Sequence, residues 1–108
     1  AEDALEHVAV AQHMVALALC LQKDYQPGLR AAYKAREVFA EAGEIGGEAL
    51  ALLLCAAAHA ATEDFEDAVG AAEQAQELFR SVGEARGEAY ALRVLTEVHL
   101  ARCRSGDA

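Results

Sequence analysis

At 108 residues the chain is long enough for one domain with a modest core. Its hydrophobic fraction of 55% is led by alanine, with only 6% aromatic residues. Small side chains in that proportion suit closely packed helices and argue against a β-sandwich, and the low glycine and proline content argues against a linker. Lys+Arg 9 against Asp+Glu 18 leaves a net charge of -9, which phosphate backbones repel, so nucleic-acid binding is disfavoured. The acids are scattered at helical spacing, the pattern of a solvated outer face.

The first predicted helix runs from about Asp3 to Lys23, with Leu5, Val8, Ala11 or Gln12, Val15 and Leu19 recurring at helical spacing. Asp24-Tyr25-Gln26-Pro27-Gly28 makes the turn into a second helix, from about Pro27 to Ala42. Proline belongs in a first helical turn, where its missing N–H is no loss. Leu29, Ala32, Ala35, Val38 and Phe39 form the apolar stripe of this helix, and Gly43 ends it. A third helix covers Ile45 to Ala61; Thr62-Glu63-Asp64 turns, with Thr62 or Asp64 placed to cap the next. The fourth spans about Phe65 to Val82, with Phe65, Ala68, Val69, Ala72, Ala75, Leu78 and Phe79 inward, and Gly83 repeats the stop at Gly43. The fifth runs from about Ala85 to Arg102 with Ala89, Leu92, Leu95, Val98 and His99 on its apolar side, and Ser105-Gly106-Asp107-Ala108 is a frayed end or the start of a further turn. Strand-like alternation is absent. Turns this short join antiparallel helices.

Shifted by 40 residues, the chain matches itself: Phe39, Gly43, Glu44, Gly47, Glu48, Ala49, Ala51 and Leu52 fall on Phe79, Gly83, Glu84, Gly87, Glu88, Ala89, Ala91 and Leu92. A fixed period of this size marks a stacked helical array, in which each hairpin leaves an apolar face that its neighbour buries. Leu52, Cys55, Ala56 and His59 on one helix, followed by Phe65, Ala68, Ala72 and Ala75, make the best-matching unit. Gln12, Val15, Ala16 and Leu19, then Tyr25, Gly28, Ala32 and Ala35, make the preceding one, and Leu92, Leu95, Thr96 and His99 begin a third. In these residues the chain resembles the tetratricopeptide repeat (TPR) family, in the variant of about 40 residues per repeat carried by kinesin light chain and Pins-type adaptors. It departs from the family pattern where Gln12 replaces a large apolar residue, where Ala32 and Ala72 replace aromatics, and in lacking a proline to close each repeat.

The resemblance implies an all-α fold: a right-handed α-α superhelix of antiparallel hairpins, five helices in about 2.5 repeats. One domain, 1-108, would hold repeat 1 at about 5-43, repeat 2 at about 45-83 and a half-repeat helix at about 85-104. It also implies that the first helix of each hairpin lines a concave side, with Val10, His13, Leu17, Cys20 and Leu21 from the first helix, Leu50, Leu53, Ala57 and Ala60 from the third, and Tyr90, Arg93, Glu97 and Leu100 from the fifth. The expected function is a non-catalytic protein-protein interaction scaffold that takes a helix or extended segment of a partner protein into an apolar groove. The expected contact residues are Val10, His13, Leu17, Leu50, Leu53, Tyr90 and Arg93. Few cations stand in this set, so it does not suit clamping of an acidic tail. The alternatives are a structural subunit of a large stable assembly, or a surface covered by further repeats of the same longer chain.

No catalytic residue, cofactor or metal is expected. His59 and His99 are repeat equivalents at a packing position, and His7 and His13 are not at the three- or four-residue spacing of a helical metal pair. Glu44-x-x-x-Glu48 and Glu84-x-x-x-Glu88 flank helix starts, where the helix dipole favours negative charge. Cys20, Cys55 and Cys103 form no Cys-x-x-Cys pair, and as free thiols they favour a reducing, intracellular compartment, in the first instance the cytoplasm. The run Ala49 to Ala61 is too short to cross a bilayer, which takes about 20 residues, so no direct membrane insertion is expected. The opening Ala1, without methionine, is read as a cut within a longer protein.

Overall fold

Four turns with one hydrogen-bond pattern set the helix ends. The computed structural model describes residues 2–106 as α1 (Glu2–Leu21), α2 (Tyr25–Glu41), α3 (Ile45–Ala61), α4 (Phe65–Ser81) and α5 (Ala85–Arg104), with no strand among them. At each turn an amide donates to the carbonyl five residues back, Asp24 to Leu19, Glu44 to Phe39, Asp64 to His59 and Glu84 to Phe79, at 2.8 to 2.9 Å. The residue before each donor is left-handed: Lys23 (φ 65), Gly43 (φ 75), Glu63 (φ 64) and Gly83 (φ 70). This is the Schellman ending, for which glycine is the usual residue. Lys23 and Glu63 adopt it without glycine's freedom, which is why sequence alone marks only two of the stops. Ser105 and Gly106 form a turn after α5, and the expected tail at Asp107 and Ala108 lies outside the described residues.

The expected capping role of Thr62 is corrected: its hydroxyl donates backward to the carbonyls of Ala58 (3.2 Å) and His59 (3.1 Å), so it closes α3. Asp64 occupies the N-cap of α4 but makes no side-chain cap hydrogen bond.

Between hairpins the repeat uses a ring over a glycine. A Cβ at Gly47 would come within 2.3 Å of the Phe39 ring, and one at Gly87 within 2.2 Å of the Phe79 ring. The aromatic can lie on the next helix only because no side chain stands there. Each helix packs antiparallel on the next, and α3 also touches α1 and α5, whereas α2 and α4 do not meet. First helices therefore converge on one side and second helices diverge on the other, so the stack curves. α1 and α5 are not in contact, and the stack stays open. Its extents of 47 × 31 × 16 Å fit helices of about 30 Å laid side by side along the longest axis.

The core is built mainly of alanine, with Ala16, Ala32, Ala35, Ala49, Ala51, Ala56, Ala68, Ala72, Ala75 and Ala91 fully buried. Leu29, Leu52, Phe39, Phe65 and Phe79 fill the larger gaps. The expected stripe of α2 is buried throughout. Those of α1 and α5 need correction. On α1, Ala9 and Ala16 are buried while Val8 and Val15 stand 47% and 52% exposed. On α5, Ala91, Val94 and Val98 face inward while Ala89, Leu92 and His99 are exposed. The outer flanks of both end helices lack a packed neighbour among the described residues, so apolar side chains such as Val8 and Val15 on α1 and Leu92 on α5 stand exposed there.

α1 also amends the membrane expectation. Ala4–Leu21 has a mean hydropathy of 1.5 over 18 residues and only 11% of it is buried, so by length and composition this helix could cross a bilayer. Glu6, His7, Gln12 and His13 break its apolar run, so its hydropathy is high on average without an uninterrupted apolar stretch.

Candidate functional site

Three helices that follow one repeat register place their side chains as rows across the concave side. Val10, Leu50 and Tyr90 are equivalents, as are His13, Leu53 and Arg93, and Leu17, Ala57 and Glu97. A groove of about 580 Å³ runs between α1, α3 and α5. His13 and Leu17 form its first wall. Leu50, Leu53, Leu54, Ala57 and Ala60 supply the floor, at the three- and four-residue spacing that keeps one helix face together. Tyr90, Arg93 and Glu97 make the far wall above Val94 and Val98.

Six of the seven expected contact residues line this groove, and Val10, 47% exposed, stands outside it. Leu50 and Tyr90 are 44% and 47% exposed and offer their surface to the groove. Leu53 is only 3% exposed. It is a floor residue that belongs to the core as much as to the site. Cys20 is corrected: its sulfur lies where a Cβ at Gly28 would approach within 2.7 Å, so it packs against α2. Leu21 and Leu100, 75% and 49% exposed, also stand outside the groove. Sequence reasoning missed Leu54, Val94 and Val98. The register could have found two of them, since Leu54 and Val94 are equivalents one position beyond Leu53 and Arg93.

The groove carries little net charge. Arg93 is paired with Glu97 at 3.5 Å along α5. His13 meets the Phe39 ring edge-on, with centroids 6.4 Å apart, and its Nδ1 is buried without a hydrogen-bond partner. Burial pushes its pKa below the ordinary 6.5, because desolvation disfavours the imidazolium. A neutral His13 and a self-paired Arg93 leave the walls without a spare cation for a carboxylate. The groove suits apolar side chains.

The other singled-out residues separate by packing. Glu48 meets Arg36 at 4.0 Å and Glu88 meets Arg80 at 3.0 Å, each pair joining a helix start to the preceding helix. Those carboxylates are thus tied to the framework. His59 is buried and shares a 2.8 Å hydrogen bond with the Tyr33 hydroxyl, whereas His99 is exposed, so the expected common packing role holds for His59 alone. The three cysteines are free, and burial pushes the Cys55 thiol up to about 12. No family model, no curated protein and no solved structure matches the chain.

Proposed function

We propose that the chain is a protein-protein interaction scaffold of the tetratricopeptide type, which receives an amphipathic helix or extended segment of a partner in the groove between α1, α3 and α5. The single observation that carries this reading is the open apolar groove lined by residues of one register from three helices, α1, α3 and α5. Leucines on the floor and an amphipathic tyrosine on the wall are what an apolar helix face seeks, and rim charges then set its direction. Leu50 and Tyr90 are the anchors, since both are accessible without being removed from the core.

A peptide-display selection against the purified chain tests it. Selected peptides should share apolar residues at helical spacing, and Leu50→Asp and Tyr90→Ala should each abolish their binding at unchanged far-ultraviolet circular dichroism. Binding that survives both substitutions would exclude the groove.

The uncovered flank of α1 favours a second reading, a subunit of a larger stable assembly. Val8, Met14, Val15 and Leu21, 47%, 61%, 52% and 75% exposed, would bury against a neighbouring helix there. On that reading Val15→Glu disrupts the native complex and leaves groove peptides bound.

A further inference from the structure

His59 is polar, nine-tenths buried, and only half satisfied. Its Nε2 bonds Tyr33, but Nδ1 is buried with no hydrogen-bond partner. That nitrogen points at the carboxylate of Asp64, 3.8 Å away, too far for a hydrogen bond. An acceptor on Asp67 completes a trio whose ligand atoms all lie within 4.8 Å of one another.

We propose that His59, Asp64 and Asp67 hold a divalent transition-metal ion of the zinc class at the α3–α4 turn. Two ligands of one tetrahedral ion with bonds of about 2.1 Å sit roughly 3.4 Å apart, so the separations present need only a small inward rotation. Asp64 and Asp67 are free to make it, since both are exposed at the start of α4. The tautomer is consistent. With Nε2–H donating to the Tyr33 oxygen, Nδ1 keeps its lone pair for the metal, the outer-shell arrangement that metal-bound histidines use. One imidazole and two carboxylates suit Zn²⁺ better than Ca²⁺ or Mg²⁺, which prefer all-oxygen sets, and water would fill the open position. The repeat does not demand this trio. The equivalents one unit earlier are Leu19, Asp24 and Pro27. Spacing could not reveal it, because the ligands come from the end of one helix, the turn and the next helix. The site is independent of the groove.

Calorimetric titration of the untagged chain with Zn²⁺ is the test, with Co²⁺ absorption as a check on coordination. One equivalent should bind, Asp64→Asn and Asp67→Asn should each weaken it by roughly tenfold or more, and the Co²⁺ spectrum should show nitrogen and oxygen ligation without a thiolate band. Ca²⁺ should not compete. Both aspartates are exposed, so their variants are expected to keep the helical circular dichroism. Failure to bind Zn²⁺, or binding unchanged in the Asp64→Asn/Asp67→Asn double variant, would overturn the assignment. So would binding unchanged in a folded His59→Gln chain.

Discussion

Leu52→Ala and Leu92→Ala make the same chemical change at the same repeat position, yet they should differ sharply in cost. Leu52 is 2% exposed, within the core that α3 shares with α4. Its truncation loses the transfer energy of the removed carbons and leaves a cavity, together about 2–5 kcal/mol. Leu92 is 45% exposed on the outer flank of α5. Fully burying a leucine is worth roughly 1.5–3 kcal/mol, a little over half of that surface is covered here, and no closed cavity forms, so the loss should be about 1 kcal/mol. The gap of about 1–4 kcal/mol, at roughly 4–8 °C per kcal/mol for a domain of about this size, is wide enough to separate the two melting temperatures. Urea unfolding followed by far-ultraviolet circular dichroism, with unchanged m, separates the two. Equal losses would mean that the α5 flank is covered as α3 is, and would refute the account of open ends.

The glycines should behave oppositely according to what faces them. Gly47→Ala and Gly87→Ala drive a methyl into a phenylalanine ring and should cost about 1–3 kcal/mol, whereas Gly70→Ala, mid-helix with nothing within 4 Å, should stabilise by up to about 1 kcal/mol, all read from urea midpoints. Cys103 is exposed and Cys55 buried with its thiol pushed up to about 12, so a thiol reagent near pH 8 should label Cys103 at once and Cys55 only on unfolding, as followed by mass spectrometry. His13 has its pKa lowered on folding, so its contribution is fully present above the ordinary 6.5 and is lost as pH falls, when the unfolded chain binds the proton more readily. Stability measured from pH 8 to pH 5 should therefore fall on the acid side, less steeply in His13→Gln; identical slopes would assign the loss to other groups.

Much of this molecule is written locally. Apolar periodicity, two glycine stops and the 40-residue register place five helices within a few residues of their observed ends, because helix formation and termination depend on neighbours along the chain. The register also names most of the groove, since equivalents such as Leu50 and Tyr90 must recur on one side of a regular stack. Burial is different. Leu52 and Leu92, or His59 and His99, occupy the same repeat position, but α3 is packed on both flanks and α5 on one. The exposure of Val15 beside buried Ala16 and the demotion of Leu53 to the floor follow from the same cause. The meeting of Tyr33 with His59, 26 residues apart, is likewise a consequence of how two hairpins nest. A helix is decided by the residues beside it in sequence, but which of its faces becomes interior is decided by what packs against it, and that only the assembled stack specifies.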